Sequence, residues 1–472
     1  MHSSRHLLAE SAGGVAIADA SLPRPWFYPH QFDQFICDVE FGTWEIFIKL
    51  LIVLALAALA YVCVSHALFR AILAAAGQQR WSDVLARPSV MWLMMGIVLL
   101  VFRTLLWFRY RPFAPMTAQD APSLTVIIPA YNEGAMVTQS INSVTRADYP
   151  RHLLQILVVD DGSTDDTWQH IVQGERRYPN LVTAIRLERN QGKRAALAEG
   201  FRRARGTVVV TVDSDSIIEN QALLAIVAPF RDRSVGAVAG KVVVYNSRAG
   251  LIPKMLRVRF ALSFDFLRAV QSTFGTVNCC PGALSAYRTD VVRAVLDSWL
   301  NQMFLGASCT IGEDRALTNY ILGCGFNCVY QRTAVVRTMV PEQYVKLAKM
   351  YLRWDRSYVR EECRLLRIVW KRPFRQALIA FIDQLFSNFR YPVAYASLIL
   401  LVRLSLHDPT TIPRMLVAMG IMSAFYMLYF LRSERSWEFL YGILYSYFYL
   451  FTLFWIFPCA VLTVRARGWL TR

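Results

Sequence analysis

The nine cysteines never take the spacing of a zinc site or of a small disulfide-stapled secreted domain. They read as reduced thiols facing the cytosol, with no structural disulfide expected. The first 40 residues lack a basic lead into a clean apolar core. Asp19, Asp33, Asp38 and Glu40 interrupt them, so they do not read as a signal peptide. Residues 1–41 are expected to form a loosely structured cytosolic tail. No recognisable nucleic-acid-binding module is present. Acidic side chains are the scarcer sign, 34 Asp plus Glu against 51 Lys plus Arg, for a net charge of +17. That excess points to anionic lipid head groups and acidic nucleotide ligands ahead of nucleic acid. Only 18% of the 472 residues are charged, whereas 55% are hydrophobic. The mixture suits a membrane protein with a substantial water-facing domain.

Long apolar runs place the membrane segments. Ile46–Leu68 and Val90–Phe108 are each about long enough to cross a bilayer core, which needs about 20 helical residues, giving two spans within 42–111. Residues 124–340 alternate short apolar runs with amphipathic stretches, as an α/β domain does. Strands are expected at Leu124–Pro129, Leu153–Val159, Thr207–Val212 and Val235–Tyr245. Helices are expected at Glu133–Ala147, Trp168–Tyr178 and Gly192–Arg205. Within 341–372, Lys346, Lys349, Arg353, Arg356, Arg360, Arg364, Arg367 and Lys371 recur every three or four residues. One cationic face results, read as an amphipathic helix on the cytosolic membrane surface, with a plain solvated helix as the alternative. Two more spans, Ala377–Leu406 and Ile412–Leu431, fall within 376–432. Trp437–Val464, inside 437–472, is apolar but broken by Pro458. Two spans before the α/β domain and three after it would leave the two chain ends on opposite sides. This segment is therefore expected to be re-entrant or interfacial.

The chemistry lies in an ordered acidic series. Asp160-Asp161-Gly162 and Asp213-Ser214-Asp215 each follow a strand-like run, and Glu313-Asp314-Arg315 comes later. Open α/β sheets bind ligands at the carboxyl ends of their strands. Asp213 and Asp215 have little counter-charge nearby in sequence, and such a pair can hold Mg2+ or Mn2+ beside a diphosphate. Asp314 can serve as a general base, though Glu313 and Asp314 beside Arg315 can equally form a plain ion pair. Tyr131 offers a stacking surface for a nucleobase and Glu133 an acceptor, although a turn before a helix explains them as well. Asp161 can accept from base or ribose, or the turn can simply be a helix cap by Ser163 or Asp165. Lys193 and Arg194 open a helix where phosphates can bind, or form an ordinary basic turn.

Taken in order, these motifs resemble the processive, membrane-embedded glycosyltransferases of family 2. AVQSTFGTVNCCPGALSAYR at Ala269–Arg288, Trp299–Gln302, GEDRALTN at Gly312–Asn319, Arg353–Glu361 and Gly468–Arg472 are similar to hyaluronan synthases and nodulation chitooligosaccharide synthases. The resemblance runs from Leu124 to Arg472. It departs at Met350, where the family's Gln-x-x-Arg-Trp motif has glutamine, and at Leu470. It implies a GT-A (Rossmann-like) cytosolic domain inserted in an α-helical transmembrane domain with amphipathic interface helices, in a multi-pass inner-membrane protein. Carried over, Tyr131, Glu133, Asp161, Lys193 and Asp213 would bind the nucleotide. Asp215 and Asp213 would hold the metal. Asp314, with Glu313, would be catalytic. Trp354, Cys280 and Arg315 would face the acceptor, and Arg353, Trp469 and Arg472 would close over the diphosphate.

The expected reaction is inverting. Asp314, its pKa raised by desolvation and by Glu313, deprotonates an acceptor hydroxyl that attacks C1 of a UDP-sugar. The donor is UDP-GlcNAc, with or without UDP-GlcA, and the partners are the growing polysaccharide and membrane lipids, in a monomer or small homo-oligomer. UDP-GlcNAc alone (a chitooligosaccharide synthase), another β-glycan, a lipid-linked transferase and a non-catalytic export subunit stay open.

Overall fold

The structure, a computed structural model, describes residues 88–466 together with Leu50 and Leu54. The expected tail, nearly all of the first span, and Trp469 and Arg472 lie outside the described residues.

The central sheet starts from β1 (Leu124–Ala130), every residue of which is buried. An unbroken apolar run is what a strand covered on both faces requires. β2 (Leu154–Asp160) lies parallel to β1, with Leu124 opposite Leu154 and Ala130 opposite Asp160. β3 (Val182–Arg186) adds to β2, and β4 (Val208–Thr211) lies on the other side of β1, all parallel. Helices α1 (Pro88–Trp107), α2 (Met136–Thr145), α3 (Thr167–Arg177) and α4 (Lys193–Arg203) precede or link these strands. The carboxyl ends of β1, β2 and β4 therefore share one edge.

Beyond β4 the topology changes. β5 (Ser216–Ile218), helix α5 (Ala222–Val227), β6 (Val235–Val244), helices α6 (Leu251–Phe260) and α7 (Arg268–Ser272), and β7 (Ser285–Arg288) follow. Helix α8 (Thr289–Leu300) leads to a hairpin of β8 (Met303–Phe304) and β9 (Ala307–Ser308), then to α9 (Glu313–Gly323) and β10 (Asn327–Thr338). The eight-stranded order is β3-β2-β1-β4-β7-β6-β10-β5. β7 runs antiparallel to both β4 and β6, so the sheet is mixed. Alternate β1 residues feed two cores. Val126 and Ile128 face one, and Ile127 faces the other with Phe201 and Trp299. The second core also takes in Leu100 and Trp107 of α1, so that helix packs directly on the sheet layer.

Strand expectations match within a residue or two. α2 starts later than expected, at Met136, because Asn132 and Gly134 adopt positive φ. Their loop is tied to the next one: Thr164 N–H donates to Asn132 Oδ1 at 2.9 Å, and Gly134 N–H donates to Thr167 Oγ1 at 2.8 Å.

α10 (Tyr344–Ile368) is a single helix, but its cations do not form one free face. Arg356 and Arg360 are buried. Arg356 Nε donates to Thr463 Oγ1 at 3.0 Å, and Arg360 donates to the Ile311 carbonyl. Lys346, Lys349, Arg367 and Lys371 are exposed. The correction has a simple cause. The helix is clasped between α9 and the C-terminal helices, so mid-helix arginines satisfy carbonyls and hydroxyls that packing would otherwise orphan.

α11 (Phe374–Ser405) and α12 (Thr411–Glu434) are long and apolar enough to cross a membrane. Arg103 of α1 donates to Asp383 of α11 at 3.0 Å, joining the two helices through a buried ion pair. α13 (Phe439–Phe448) runs through a wide turn, Tyr449–Leu453, into α14 (Ile456–Leu462), and the pair bends by 48°. If counted as one span, it makes three among the described residues.

Candidate active site

A cavity of about 550 Å³ opens at the carboxyl edge of β1, β2 and β4. Tyr131, Glu133, Asp161, Lys193, Asp213, Asp215, Glu313, Asp314, Arg315, Arg353 and Trp354 all line it. Residues spread over more than 220 positions of sequence thus meet at one place.

Asp161 sits just past β2 and is nearly buried. Its Oδ1 accepts the Gln191 N–H and its Oδ2 the Gly192 N–H, both at 2.8 Å. Burial raises its pKa, and the two N–H groups oppose that rise. Gly162 has φ +69, and a Cβ there would lie 2.6 Å from the Arg189 carbonyl carbon, so only glycine allows the close approach. Asp165 Oδ1 accepts the Thr167 N–H at 3.0 Å where α3 begins, but the N-cap position belongs to Asp166, which makes no side-chain cap bond.

Asp213 and Asp215 stand past β4. Between them, Ser214 Oγ donates to Glu133 Oε1 at 3.0 Å, joining two acidic motifs. Asp215 Oδ1 accepts from Ser216 and Thr338 hydroxyls at 3.3 Å. The scarce counter-charge seen in sequence is supplied in space. Lys193 Nζ contacts Asp213 Oδ1 and lies 3.5 Å from Glu313 Oε1. Burial works against its ammonium, but Asp213 and Glu313 prevail and hold its pKa above the usual lysine range. Arg194 corrects the sequence reading. One helical step of about 100° turns it away from the cavity. It is buried, lies over the Trp299 ring and donates to the Trp299 carbonyl at 2.7 Å.

Glu313 and Asp314 form the first turn of α9, whose N-cap Gly312 has φ +76. A Cβ at Gly312 would collide with Ser357 of α10. Trp299 Nε1–H donates to the Glu313 carbonyl at 2.9 Å, fixing this turn against the second core. Burial pushes the Glu313 pKa up, but Lys193 and other cations bring it below the usual range. Burial and the charge of Glu313 raise Asp314. Asp314 Oδ1 accepts the Arg315 N–H at 2.7 Å, whereas the Arg315 guanidinium lies over the Tyr358 ring, 5.2 Å from its centroid.

Trp354 forms part of the far wall, beside Phe260 and Tyr351. Phe264, Arg268, Cys279 and Met350 also line the cavity. Nothing in the order of residues shows that α6 and α7 reach it. They do so through a widened helical turn at Ala261–Leu267 that neither composition nor periodicity reveals. Cys280 corrects another expectation. It is fully buried and absent from the cavity wall, where Cys279 stands instead, because Cys280 N–H is tied to Thr318 Oγ1 at 2.9 Å.

The donor set fits a divalent cation. Asp213 and Asp215 offer oxygen only, and no cluster of three or more metal-binding side chains occurs among the described residues. A hard cation held by one or two carboxylates takes its other ligands from phosphates and water.

The description "Glycosyl transferase family 2" matches residues 125–296. An N-acetylglucosaminyltransferase of Azorhizobium caulinodans is 31% identical over 357 residues, 74% of this chain and 87% of the relative. A hyaluronan synthase of Streptococcus pyogenes is 34% identical over 286 residues, 59% of this chain and 67% of the relative. In fold, the chain is similar to a mannosyltransferase from Pyrobaculum calidifontis solved with GDP-Man and Mn2+. The TM-score is 0.55 at 20% identity, covering 76% of this chain and 99% of that one. With its mixed GT-A-like sheet and this extent of shared sequence, the chain belongs to glycosyltransferase family 2.

Proposed function

We propose that the protein is a processive inverting β-glycosyltransferase that polymerises UDP-activated sugars and exports the glycan across the membrane. The observation that carries this reading is the pairing of acidic walls in one cavity. Asp213, Asp215, Glu313 and Asp314 all line it, Lys193 contacts Asp213 and lies 3.5 Å from Glu313, and Asp314 is raised by burial and Glu313. The opposite shifts of the neighbours Glu313, lowered, and Asp314, raised, mark Asp314 as the general base.

Tyr131, Glu133 and Asp161 hold the nucleoside. Asp215 and Asp213 hold Mg2+ or Mn2+, which when bound supplies neutralising charge to the diphosphate leaving group. Lys193 adds a cation on the same side, and Arg353 offers a planar fork that suits phosphate oxygens. Asp314 takes the proton of the acceptor hydroxyl as it attacks C1 in line, giving a β-linkage. Trp354 presents a ring face to the apolar side of the acceptor sugar, and Arg315 lies near it. Trp469 and Arg472 close over the diphosphate. The catalytic domain faces the cytosol from the inner membrane, with the helix pair at 437–464 re-entrant or interfacial and the exposed cations of α10 toward the lipid surface.

The donor is UDP-GlcNAc, with UDP-GlcA as a second donor in the hyaluronan reading. The named N-acetylglucosaminyltransferase covers more of the chain than the hyaluronan synthase does, which supports a second reading with UDP-GlcNAc alone. The test is UDP release by purified protein in nanodiscs with Mn2+ or Mg2+. UDP-GlcNAc, UDP-GlcA and UDP-Glc are offered singly, and the first two together. Synergy of the pair with a hyaluronidase-sensitive polymer establishes the first reading. Turnover on UDP-GlcNAc alone establishes the second. No UDP release from any donor contradicts both.

A further inference from the structure

Cys279 is a cavity-lining group that the reaction described above leaves unused. Its thiol donates to Asp314 Oδ2 at 3.4 Å, while Asp314 Oδ1 is held by the Arg315 N–H. The contact is built from both sides. The Cys279 carbonyl accepts from Arg268 Nε at 2.9 Å. The next residue, Cys280, donates its N–H to Thr318 Oγ1, and that hydroxyl in turn donates to the Asp314 carbonyl at 2.8 Å. The loop carrying Cys279 is therefore tied to α7 through Arg268 and to α9 through Thr318.

We propose that Cys279 is a positioning residue for the transfer reaction: its S–H holds Asp314 Oδ2 toward the acceptor while leaving that oxygen basic. The inference rests on the reading of Asp314 as the base. Donor strength sets how basic Oδ2 remains. A hydroxyl in the same place would donate strongly and stabilise the carboxylate, making it a poorer base. An apolar side chain would leave Oδ2 free to rotate and still more easily protonated. A thiol is a weak donor between these limits. Burial pushes the Cys279 thiol up to about 12, with Asp314 adding to the effect, so it stays protonated as a donor and does not compete as a thiolate. The other charged and titratable groups facing Asp314 are Glu313 and Arg315 on its own helix, Lys193 of α4, Arg268 of α7 and Tyr287 of β7. Neither substitution at Cys279 alters their charge.

The test is the pH profile of kcat/KM for UDP release by the full chain in nanodiscs, for wild type, Cys279→Ser, Cys279→Ala and Asp314→Asn. Loss of the donor favours the protonated acid, so the acid limb of Cys279→Ala moves to higher pH. A stronger donor favours the carboxylate, so the limb of Cys279→Ser moves to lower pH, and the maximal rate falls as the base weakens. Donor KM stays within about two-fold in both, because the Cys279 thiol bonds Asp314, the base, and not a residue assigned to the donor. Opposite displacement of the two limbs supports the proposal. Coincident limbs in all three proteins, or displacement of both in one direction with a raised donor KM, overturn it and reduce Cys279 to packing. Asp314→Asn separates the two levels. Residual turnover near wild type would remove the base assignment and this inference with it. A dead Asp314→Asn beside unshifted Cys279 variants would remove this inference alone.

Discussion

The cavity has two acidic walls, and they are built differently. One follows a strand, where Asp213 and Asp215 are separated by Ser214 and hydroxyls from Ser216 and Thr338 reach Asp215. The other is a helix N-terminus, where buried Glu313 and half-buried Asp314 are adjacent. Lys193 lies between the walls and contacts a carboxylate on each. On the helical wall that shared cation splits two neighbours. Glu313 is nearer to it and stays ionised below its usual range, while Asp314 feels burial and the charge of Glu313 and is raised. Carboxylates one residue apart thus acquire different chemistry from their surroundings. The strand wall is suited to holding positive charge, and the helical wall to handling a proton.

Removing individual members should separate the walls, with the largest loss on the helical one. Asp314→Asn should lower kcat by about 10^3-fold, the scale of general-base catalysis. UDP affinity, measured by calorimetry, should change little. On the strand wall, Asp215→Ala should cost about 10^2-fold in kcat/KM and flatten the response to added Mn2+, since cation-assisted charge stabilisation supplies several kcal/mol. Lys193→Met leaves Asp213 and Glu313 without their common partner. Its ammonium is partly solvated, so the loss of thermal stability should be about 2 kcal/mol, below the range for a fully buried pair. The same variant should move the acid limb of turnover to higher pH, because Lys193 helps to hold Asp314 down. Trp354→Leu, beyond both walls, should have the smallest effect. It should shorten the product or weaken acceptor retention about five-fold, as an aromatic platform contributes about 1 kcal/mol.

Much of this arrangement was legible in sequence. Asp161, Asp213 and Asp215 each followed an apolar run, and runs buried on both faces in a parallel sheet carry a strong signal. A raised pKa for Asp314 is expected from desolvation and the nearby charge of Glu313, but only the packing around α9 shows it. What stayed hidden depends on three-dimensional juxtaposition. The Lys193–Asp213 contact joins residues 20 positions apart through a helix packed on the sheet. Arg194 and Cys280 sit one position from cavity residues, and a single step of backbone decides which side chain points inward. The wide turn at Ala261–Leu267 brings Phe264 and Arg268 to the cavity with no periodic signature. The cationic stripe of α10 obeyed its periodicity, yet the burial of Arg356 and Arg360 was set by partners on α14's trailing turn and the loop before α9.

The division of labour between Glu313 and Asp314 is tested most directly by the pH dependence of kcat/KM for UDP release in Glu313→Gln against wild type. If the charge of Glu313 raises the base, removing that charge lets Asp314 ionise more readily, and the acid limb moves to lower pH. A limb that stays in place, or moves to higher pH, would contradict the account.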